Sequence, residues 1–188
     1  MVIKLISLGK HVVIDATNGT ETLASANDVF NYIDPAFKNL GGEQSEKETP
    51  EMTVDVYEQI KDATYPEIFG SVDQNLNHLV LTTSQIKSFI VNRAKDYLLE
   101  AEWTCFRFLF KVGNEFFIAD VRVLSDGNRD VRVTRFLDGS VRHAEYRHRV
   151  VVPQLAARWF LSLKMGIPKG VKMLHSDISW NPCGDFNG

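Results

Sequence analysis

Apolar and polar residues alternate for nearly fifty positions between Phe106 and Val152. Successive side chains of a β-strand point to opposite faces of a sheet, so this period of two predicts strands with one buried face. Three pairs of turn-forming residues divide the stretch: Gly113-Asn114, Asp126-Gly127 and Asp138-Gly139. The pattern therefore predicts a four-stranded antiparallel meander over about residues 104–152.

The turns also predict how these strands are paired. A two-residue turn at Gly113-Asn114 places Arg107 opposite Asp120. At the second turn a two-residue loop would mix the apolar and polar faces, so we expect a three-residue loop, Asp126-Gly127-Asn128, which places Asp120 opposite Thr134. The third turn then places Thr134 opposite His143, and Arg132 opposite Glu145.

These registers gather polar side chains into neighbouring rows on one face of the sheet. The first row is Arg107, Asp120, Thr134 and His143, and the second is Cys105, Arg122, Arg132 and Glu145. An apolar row follows, formed by Leu109, Ile118, Phe136 and Val141.

Two amphipathic helices are predicted to cover the opposite face of the meander. The first spans about residues 83–102, where apolar residues recur at helical spacing and Thr82 with Gln85 forms a capping box. The second spans about residues 153–165 and begins at Pro153, because proline is favoured at the first helical position. The fold class predicted for the chain is thus α+β.

The N-terminal part of the chain gives weaker signals. Residues 2–7 and 10–15 resemble two strands of a hairpin around Leu8-Gly9, followed by short helices. Residues 41–52 contain almost no large apolar side chains and predict a flexible linker. Residues 53–63 resemble a helix with Val56, Tyr57 and Ile60 on one side. We therefore divide the chain into an N-terminal segment (1–40), a linker (41–52) and a main α+β domain (53–188).

Composition argues against several classes of protein. The chain is 44% hydrophobic and 24% charged, which is typical of a globular protein rather than a disordered one. No apolar stretch approaches the roughly 18 residues of a membrane helix, and no secretion signal is evident, so we expect a cytoplasmic protein. Two cysteines without paired spacing favour neither a disulfide framework nor a zinc site.

Charge is distributed unevenly along the chain. Residues 1–83 carry five lysines, no arginine and thirteen acidic residues, a formal charge of −8. Residues 84–188 carry sixteen basic and eleven acidic residues, a formal charge of +5, and include all ten arginines. This asymmetry is compatible with a basic anion-binding body, and equally with two parts of the chain that pack against each other.

The polar rows define the candidate binding surface, and two functions remain open for it. One is a non-catalytic protein that binds a protein partner through the arginine-bearing face. The other is nucleic-acid binding, with or without processing of the nucleic acid, in which guanidinium groups contact phosphates and aromatic rings contact bases. A purely structural role, as the solvated face of a sheet, is the third interpretation. The candidate residues are Arg107, Asp120, Arg122, Arg132, Thr134, His143, Glu145 and Arg147.

No catalytic arrangement emerges from the spacing of the residues. Cys105 and His143 would lie three strand spacings apart, about 14 Å, which is too far for a nucleophile and its base. Asp120 and Asp130 weakly resemble a nuclease motif, but the expected register separates them by about 13 Å along the strand. No glycine-rich phosphate loop, cofactor motif or metal-ligand spacing is present, so we predict no cofactor and no metal, and the oligomeric state stays open.

Overall fold

The structure is a computed structural model and describes residues 4–40 and 44–155. The described residues up to Gln154 belong to one compact unit. The strands are β1 (Leu5–Ile14), β2 (Tyr32–Ile33), β3 (Met52–Gln59), β4 (Trp103–Val112), β5 (Glu115–Leu124), β6 (Arg129–Arg135) and β7 (Arg149–Pro153). The α-helices are α1 (Ala36–Asn39), α2 (Tyr65–Gly70) and α3 (Thr83–Asn92), and short 3₁₀ turns occur at Leu23–Ser25, Leu76–His78, Ala94–Tyr97 and Ala144–Tyr146.

The predicted fold is wrong, because the described residues form a mostly sheet domain built on one mixed sheet. Its strand order is β1-β3-β7-β4-β5-β6-β2. The chain makes the antiparallel β4-β5-β6 meander as expected, but no fourth strand follows β6 in it. Instead β7 inserts between β3 and β4, antiparallel to the first and parallel to the second. The place beside β6 is taken by β2, which runs parallel to it.

The register predicted for the first hairpin is confirmed. Arg107 lies opposite Asp120, and Phe108 lies opposite Ala119. The two-residue turn places Gly113 at a φ of 58°, in the left-handed region that glycine adopts without a steric penalty.

The register predicted for the second hairpin is wrong by two residues. Asp120 lies opposite Arg132 rather than Thr134, because the loop consists of Ser125, Asp126 and Gly127 instead of residues 126–128. Gly127, with a φ of 87°, closes this loop. A shift of two residues leaves every side chain on its expected face, so the polar and apolar faces are still those that the alternation indicates.

Residues 136–148, the crossing segment, replace the predicted third hairpin. They pass over β5 and β4 on the polar face of the sheet and lead into β7. Arg142 exchanges two backbone hydrogen bonds with Ala63, and the Gln59 side chain donates to the Arg142 carbonyl at 2.6 Å. His143 therefore does not pair with Thr134, nor does Glu145 pair with Arg132, because their backbone lies in the crossing segment and not in a strand beside β6.

The predictions of an N-terminal hairpin and of a helix over residues 53–63 are also wrong. β1 is one strand with an irregularity between Ser7 and His11, and it pairs with β3 along its length. β3 is a strand because Val54 and Val56, two positions apart, are both fully buried. The helical spacing of Val56, Tyr57 and Ile60 is coincidental, since Ile60 is exposed.

Helix α3 begins as predicted and ends about ten residues earlier. Thr82 and Gln85 form the expected capping box. The backbone leaves the helix at Arg93, whose φ is −127°, and the Arg93 side chain donates to the Val13 carbonyl of β1 at 3.0 Å. The second predicted helix lies mostly outside the described residues, and Pro153 itself ends β7 rather than beginning a helix.

The main core lies on the face of the sheet opposite to Arg107, Arg122 and Arg132. The Phe89 ring of α3 packs against Phe106 and Phe108 of β4, with ring centroids 5.7 and 5.5 Å apart. All five residues of β7 are buried, including Arg149, its one polar residue. Among the described residues, no helix is long and apolar enough to cross a bilayer.

Residues 44–52 make specific contacts with the rest of the sheet unit. Thr49 forms an isolated bridge with Thr17, and the Glu46 carboxylate accepts hydrogen bonds from the Thr83 and Ser84 backbone amides, each at 2.9 Å. The division into residues 1–40, 41–52 and 53–188 stays a prediction.

Candidate functional site

A cleft of about 610 Å³ opens on the polar face of β4, β5 and β6. We call it the arginine cleft. The crossing segment and the start of α2 form its other walls. Its lining residues are Tyr65, Trp103, Cys105, Arg107, Asp120, Arg122, Asp130, Arg132, Thr134, Val141, Arg142, His143, Tyr146 and His148.

Strand register places the charged residues on the floor of the arginine cleft. Arg107, Asp120 and Arg132 form one row across β4, β5 and β6, and Cys105, Arg122 and Asp130 form the next. The next row is Leu109, Ile118 and Thr134, in which Leu109 and Ile118 are fully buried. Phe136 and Val141 do not join this row as predicted: Phe136 packs on Phe69 of α2, with ring centroids 6.3 Å apart, and Val141 lines the cleft. The cleft is open where this face bears Arg122 and Arg132.

Asp120 accepts hydrogen bonds from three different elements. Its Oδ2 accepts from the Tyr65 hydroxyl at 2.7 Å and from the Thr134 hydroxyl at 3.2 Å. Its Oδ1 accepts from Arg107 Nε at 3.2 Å and is approached by the Cys105 thiol at 3.8 Å. Asp120 therefore ties α2 to β4 and β6 beneath the cleft.

Arg107 is part of this internal network and is only 4% exposed. Besides Asp120 it donates to Gln59 Oε1 at 2.6 Å, and its guanidinium carbon lies 5.4 Å from the Tyr65 ring centroid. A buried guanidinium needs such partners, because an unpaired buried charge is strongly unfavourable. The contacts indicate that Arg107 holds the floor of the cleft together.

Arg122 and Arg132 differ from Arg107 in having no carboxylate within ion-pair distance among the described residues. The guanidinium of Arg122 lies 5.1 Å from the Trp103 ring centroid, and that of Arg132 lies 5.8 Å from the Tyr32 ring centroid. Stacking on an aromatic ring orients a guanidinium and leaves the donors at its edge free for bidentate hydrogen bonds.

Arg142 belongs to the crossing segment. Its guanidinium carbon lies 4.3 Å from the Tyr65 ring centroid, and its Nη2 is paired with Asp138. Its Nε atom is buried and has no hydrogen-bond partner within the described part of the chain. The pKa of Asp138 is lowered by hydrogen bonds from the Ser140 hydroxyl and amide and also by Arg142.

His148 lines the cleft as a buried, uncharged imidazole. Burial, and then the charges of Arg107, Arg142 and Arg122, lowers its pKa to about 3. Its Nδ1 is buried and has no hydrogen-bond partner within residues 4–40 and 44–155. The ring is one of a cluster of three, since its centroid lies 5.8 Å from that of Trp103 and 5.6 Å from that of Tyr146.

Cys105 and His143 both line the arginine cleft, but the thiol is not activated as a nucleophile. Burial, with the nearby charge of Asp120, raises the pKa of Cys105 to about 12. A thiol with such a pKa stays protonated at neutral pH, whereas the nucleophile is the thiolate. His143 is exposed and lies 3.0 Å from the Asp62 carboxylate, so its ring contributes to anchoring the crossing segment.

The arginine cleft brings together six of the eight candidate residues predicted from the sequence, namely Arg107, Asp120, Arg122, Arg132, Thr134 and His143. Glu145 and Arg147 instead line a neighbouring pocket with Arg149. Arg147 forms two hydrogen bonds with the Glu58 carboxylate, at 2.8 and 2.9 Å, and its place on the binding surface stays a prediction.

Several lining residues were not predicted as candidates. Trp103 and Asp130 could have been predicted from the sequence, because each lies two positions before a residue assigned to the polar face. Tyr65, Arg142, Tyr146 and His148 come from α2, the crossing segment and its junction with β7, and no local pattern indicates that they meet the sheet here.

Within the described residues, no group of three or more histidine, cysteine, aspartate or glutamate side chains is arranged to hold a metal ion. No protein-family model, curated protein or solved structure matches this chain.

Proposed function

We propose that this protein is a non-catalytic binding protein that takes up an anionic ligand in the arginine cleft. The observation that carries the proposal is that Arg122 and Arg132 line a concave site and that, among the described residues, neither has a carboxylate within ion-pair distance, although Asp130 lies opposite Arg122 in the strand register. A guanidinium group is planar and presents several N–H donors along one edge. When its orientation is fixed, these donors are suited to bind phosphate or carboxylate oxygens.

The balance of charge in the cleft also favours an anion. Four arginines line it, against the two carboxylates Asp120 and Asp130. The Asp120 charge is offset by Arg107, with which it is paired at 3.2 Å. The low pKa of His148 agrees with a positive local field, since the nearby arginines disfavour a further positive charge on its ring.

The size of the cleft supports a small ligand or the end of a larger one. Its volume of about 610 Å³ lies within the range of roughly 300–1,000 Å³ that is typical of small-molecule sites. The proposal that no reaction follows binding rests on the protonated Cys105 thiol and on His148, whose pKa of about 3 makes it a poor general base at neutral pH.

Calorimetric titration with inorganic pyrophosphate at low and high salt tests the proposal, because this ligand presents phosphate oxygens alone. We expect binding that weakens with salt, and a loss of about tenfold or more in affinity for Arg122→Gln or Arg132→Gln. Arg135→Gln is the matched control, because Arg135 lies on β6, is exposed and does not line the cleft. Absence of binding at low salt, or equal losses in all three variants, would refute the proposal.

A further inference from the structure

We infer that the ligand of the arginine cleft is a nucleotide unit, with its phosphate on Arg122 and Arg132 and its base against the rings of Trp103 and Tyr146. This inference rests on the proposed anion binding and adds the chemical class of the ligand. A free nucleotide and the terminal nucleotide of a single strand present the same group to the cleft.

The first support is an aromatic cluster in the wall of the cleft. Trp103, Tyr146 and His148 lie with their ring centroids 5.6–5.8 Å apart and their planes 30–37° apart. Tyr146 is 48% exposed although it lies in a cleft, so a large part of its ring is not covered by protein. A planar base is the ligand group that best covers such a surface, and every base has a π-face to offer.

The second support is that the cationic and aromatic parts of the cleft are adjacent. The Arg122 guanidinium lies 5.1 Å from the Trp103 ring centroid. Arg122 and Arg132 lie on adjacent strands in neighbouring rows, since Arg122 pairs with Asp130 and Arg132 with Asp120. A phosphate on Arg122 is therefore adjacent to the Trp103 ring, and Arg132 is the next arginine of the same face.

The third support comes from two polar atoms of residues that line the cleft, neither of which has a hydrogen-bond partner in the described part of the chain. His148 Nδ1 and Arg142 Nε are both buried without hydrogen-bond partners in the described part of the chain. Such atoms are rare and unfavourable in folded proteins. The polar edge of a base offers donors and acceptors side by side, whereas the carboxylates of an acidic peptide offer acceptors alone and leave the rings uncovered.

The cleft contains two arginines without an ion pair among the described residues, which limits how much nucleic acid it contacts. The protein has a formal charge of −3 and a pI of about 6.0, unlike proteins that follow an extended phosphate backbone. With two phosphate-binding arginines, the affinity is expected to fall with salt far less steeply than for a protein that makes six to ten phosphate contacts.

Calorimetry with adenosine 5′-monophosphate and ribose 5-phosphate tests the inference, because the two ligands differ only in the base. We expect the nucleotide to bind at least about tenfold more tightly. The preference should survive in Trp103→Phe, which keeps a ring, and shrink in Trp103→Leu and Tyr146→Leu. Leu137→Ala is the control, because Leu137 is the most exposed of the large apolar side chains and does not line the cleft.

The outcomes separate the two proposals. Equal binding of the nucleotide and ribose 5-phosphate overturns the inference about the base but leaves anion binding intact. Failure of both, together with failure of pyrophosphate, overturns anion binding itself. A 5′-phosphorylated hexanucleotide distinguishes the sources: tighter binding than the mononucleotide assigns the cleft to the end of a strand, and equal binding assigns it to a free nucleotide. Circular dichroism of each variant establishes that it is folded.

Discussion

Tyr65 donates its hydroxyl hydrogen to Asp120 Oδ2 at 2.7 Å, across 55 positions of sequence. Burial and the Asp120 charge raise the pKa of Tyr65, so the hydroxyl keeps its proton over the physiological range. This hydrogen bond joins α2 to the floor of the arginine cleft. We expect Tyr65→Phe to lower the free energy of unfolding by about 1–2 kcal/mol, because Asp120 loses one of its donors. Denaturant melts measure this, with Tyr146→Phe as the exposed control.

Replacing Asp120 by asparagine should destabilise the protein more strongly. The change leaves Arg107, which is 4% exposed, without a carboxylate partner. Removing one member of a buried ion pair typically lowers the free energy of unfolding by about 3–5 kcal/mol. The control is Asp126→Asn in the exposed β5–β6 loop. Asparagine retains the oxygen that accepts from the Asn128 backbone amide and loses the bond from the exposed Asn128 side chain. Similar denaturation midpoints for the two variants would contradict the role assigned to Asp120.

The lowered pKa of His148 predicts that the folded protein loses stability in mild acid. Its pKa falls from the ordinary 6.5 to about 3 in the folded protein. Between these values the unfolded chain binds a proton that the folded chain does not, so stability decreases as pH falls from 6.5 towards 3.

The measurement is the free energy of unfolding at several pH values in this window. His148→Phe, which keeps an aromatic ring in the cluster, should reduce the slope by up to about 1.4 kcal/mol per pH unit, the limit for a single proton. His143→Phe leaves His148 in place and should retain its contribution. An unchanged slope in His148→Phe would show that this imidazole does not titrate as described.

The Cys105 thiol should be unreactive while the protein is folded. It is buried, and its pKa is raised to about 12. In a Cys183→Ser background, alkylation by iodoacetamide at pH 8 should be slower than that of a free cysteine by at least about a hundredfold, and should become rapid in denaturant. Rapid alkylation of the folded protein would mean that the thiol is accessible and would reopen a nucleophilic role for it.

The hydrogen bonds of Glu46 predict that the segment before β3 contributes to the stability of α3. Its carboxylate accepts from the Thr83 and Ser84 amides at the helix N-terminus and from the Ser84 hydroxyl at 3.0 Å. We expect Glu46→Ala to lower the free energy of unfolding by about 1 kcal/mol, as for the loss of a helix cap. Glu48→Ala, at an exposed position two residues later, should change it by less than about 0.5 kcal/mol.

The part of the fold that sequence reasoning predicted correctly depends on local signals. The turn at Gly113-Asn114 fixes the pairing of Arg107 with Asp120, and alternation assigns each side chain to its face. Alternation cannot distinguish registers that differ by two residues, so the partner of Asp120 was predicted as Thr134 instead of Arg132. The faces were still correct, and this is why most of the candidate residues meet in one cleft.

The errors come from contacts between distant parts of the chain. Asp138-Gly139 resembles a hairpin turn, but the backbone bonds between Arg142 and Ala63 and the pairing of β2 with β6 favour a crossing over the sheet. Neither contact has a signature in the local sequence. The same crossing brings Arg142, Tyr146 and His148 to the cleft. The aromatic cluster therefore could not be predicted from the alternation of apolar and polar residues.

The position of β7 has a consequence for how the protein reaches its native state during synthesis. β7 is the strand that joins β1-β3 to the remainder of the sheet, since β3 and β4 both pair with it and not with each other. A ribosome that has released residues up to 148 has therefore produced two incomplete half-sheets with open edges. The arginine cleft also lacks its His148 wall until this strand inserts, so in a nascent chain the cleft is completed only with the closing strand.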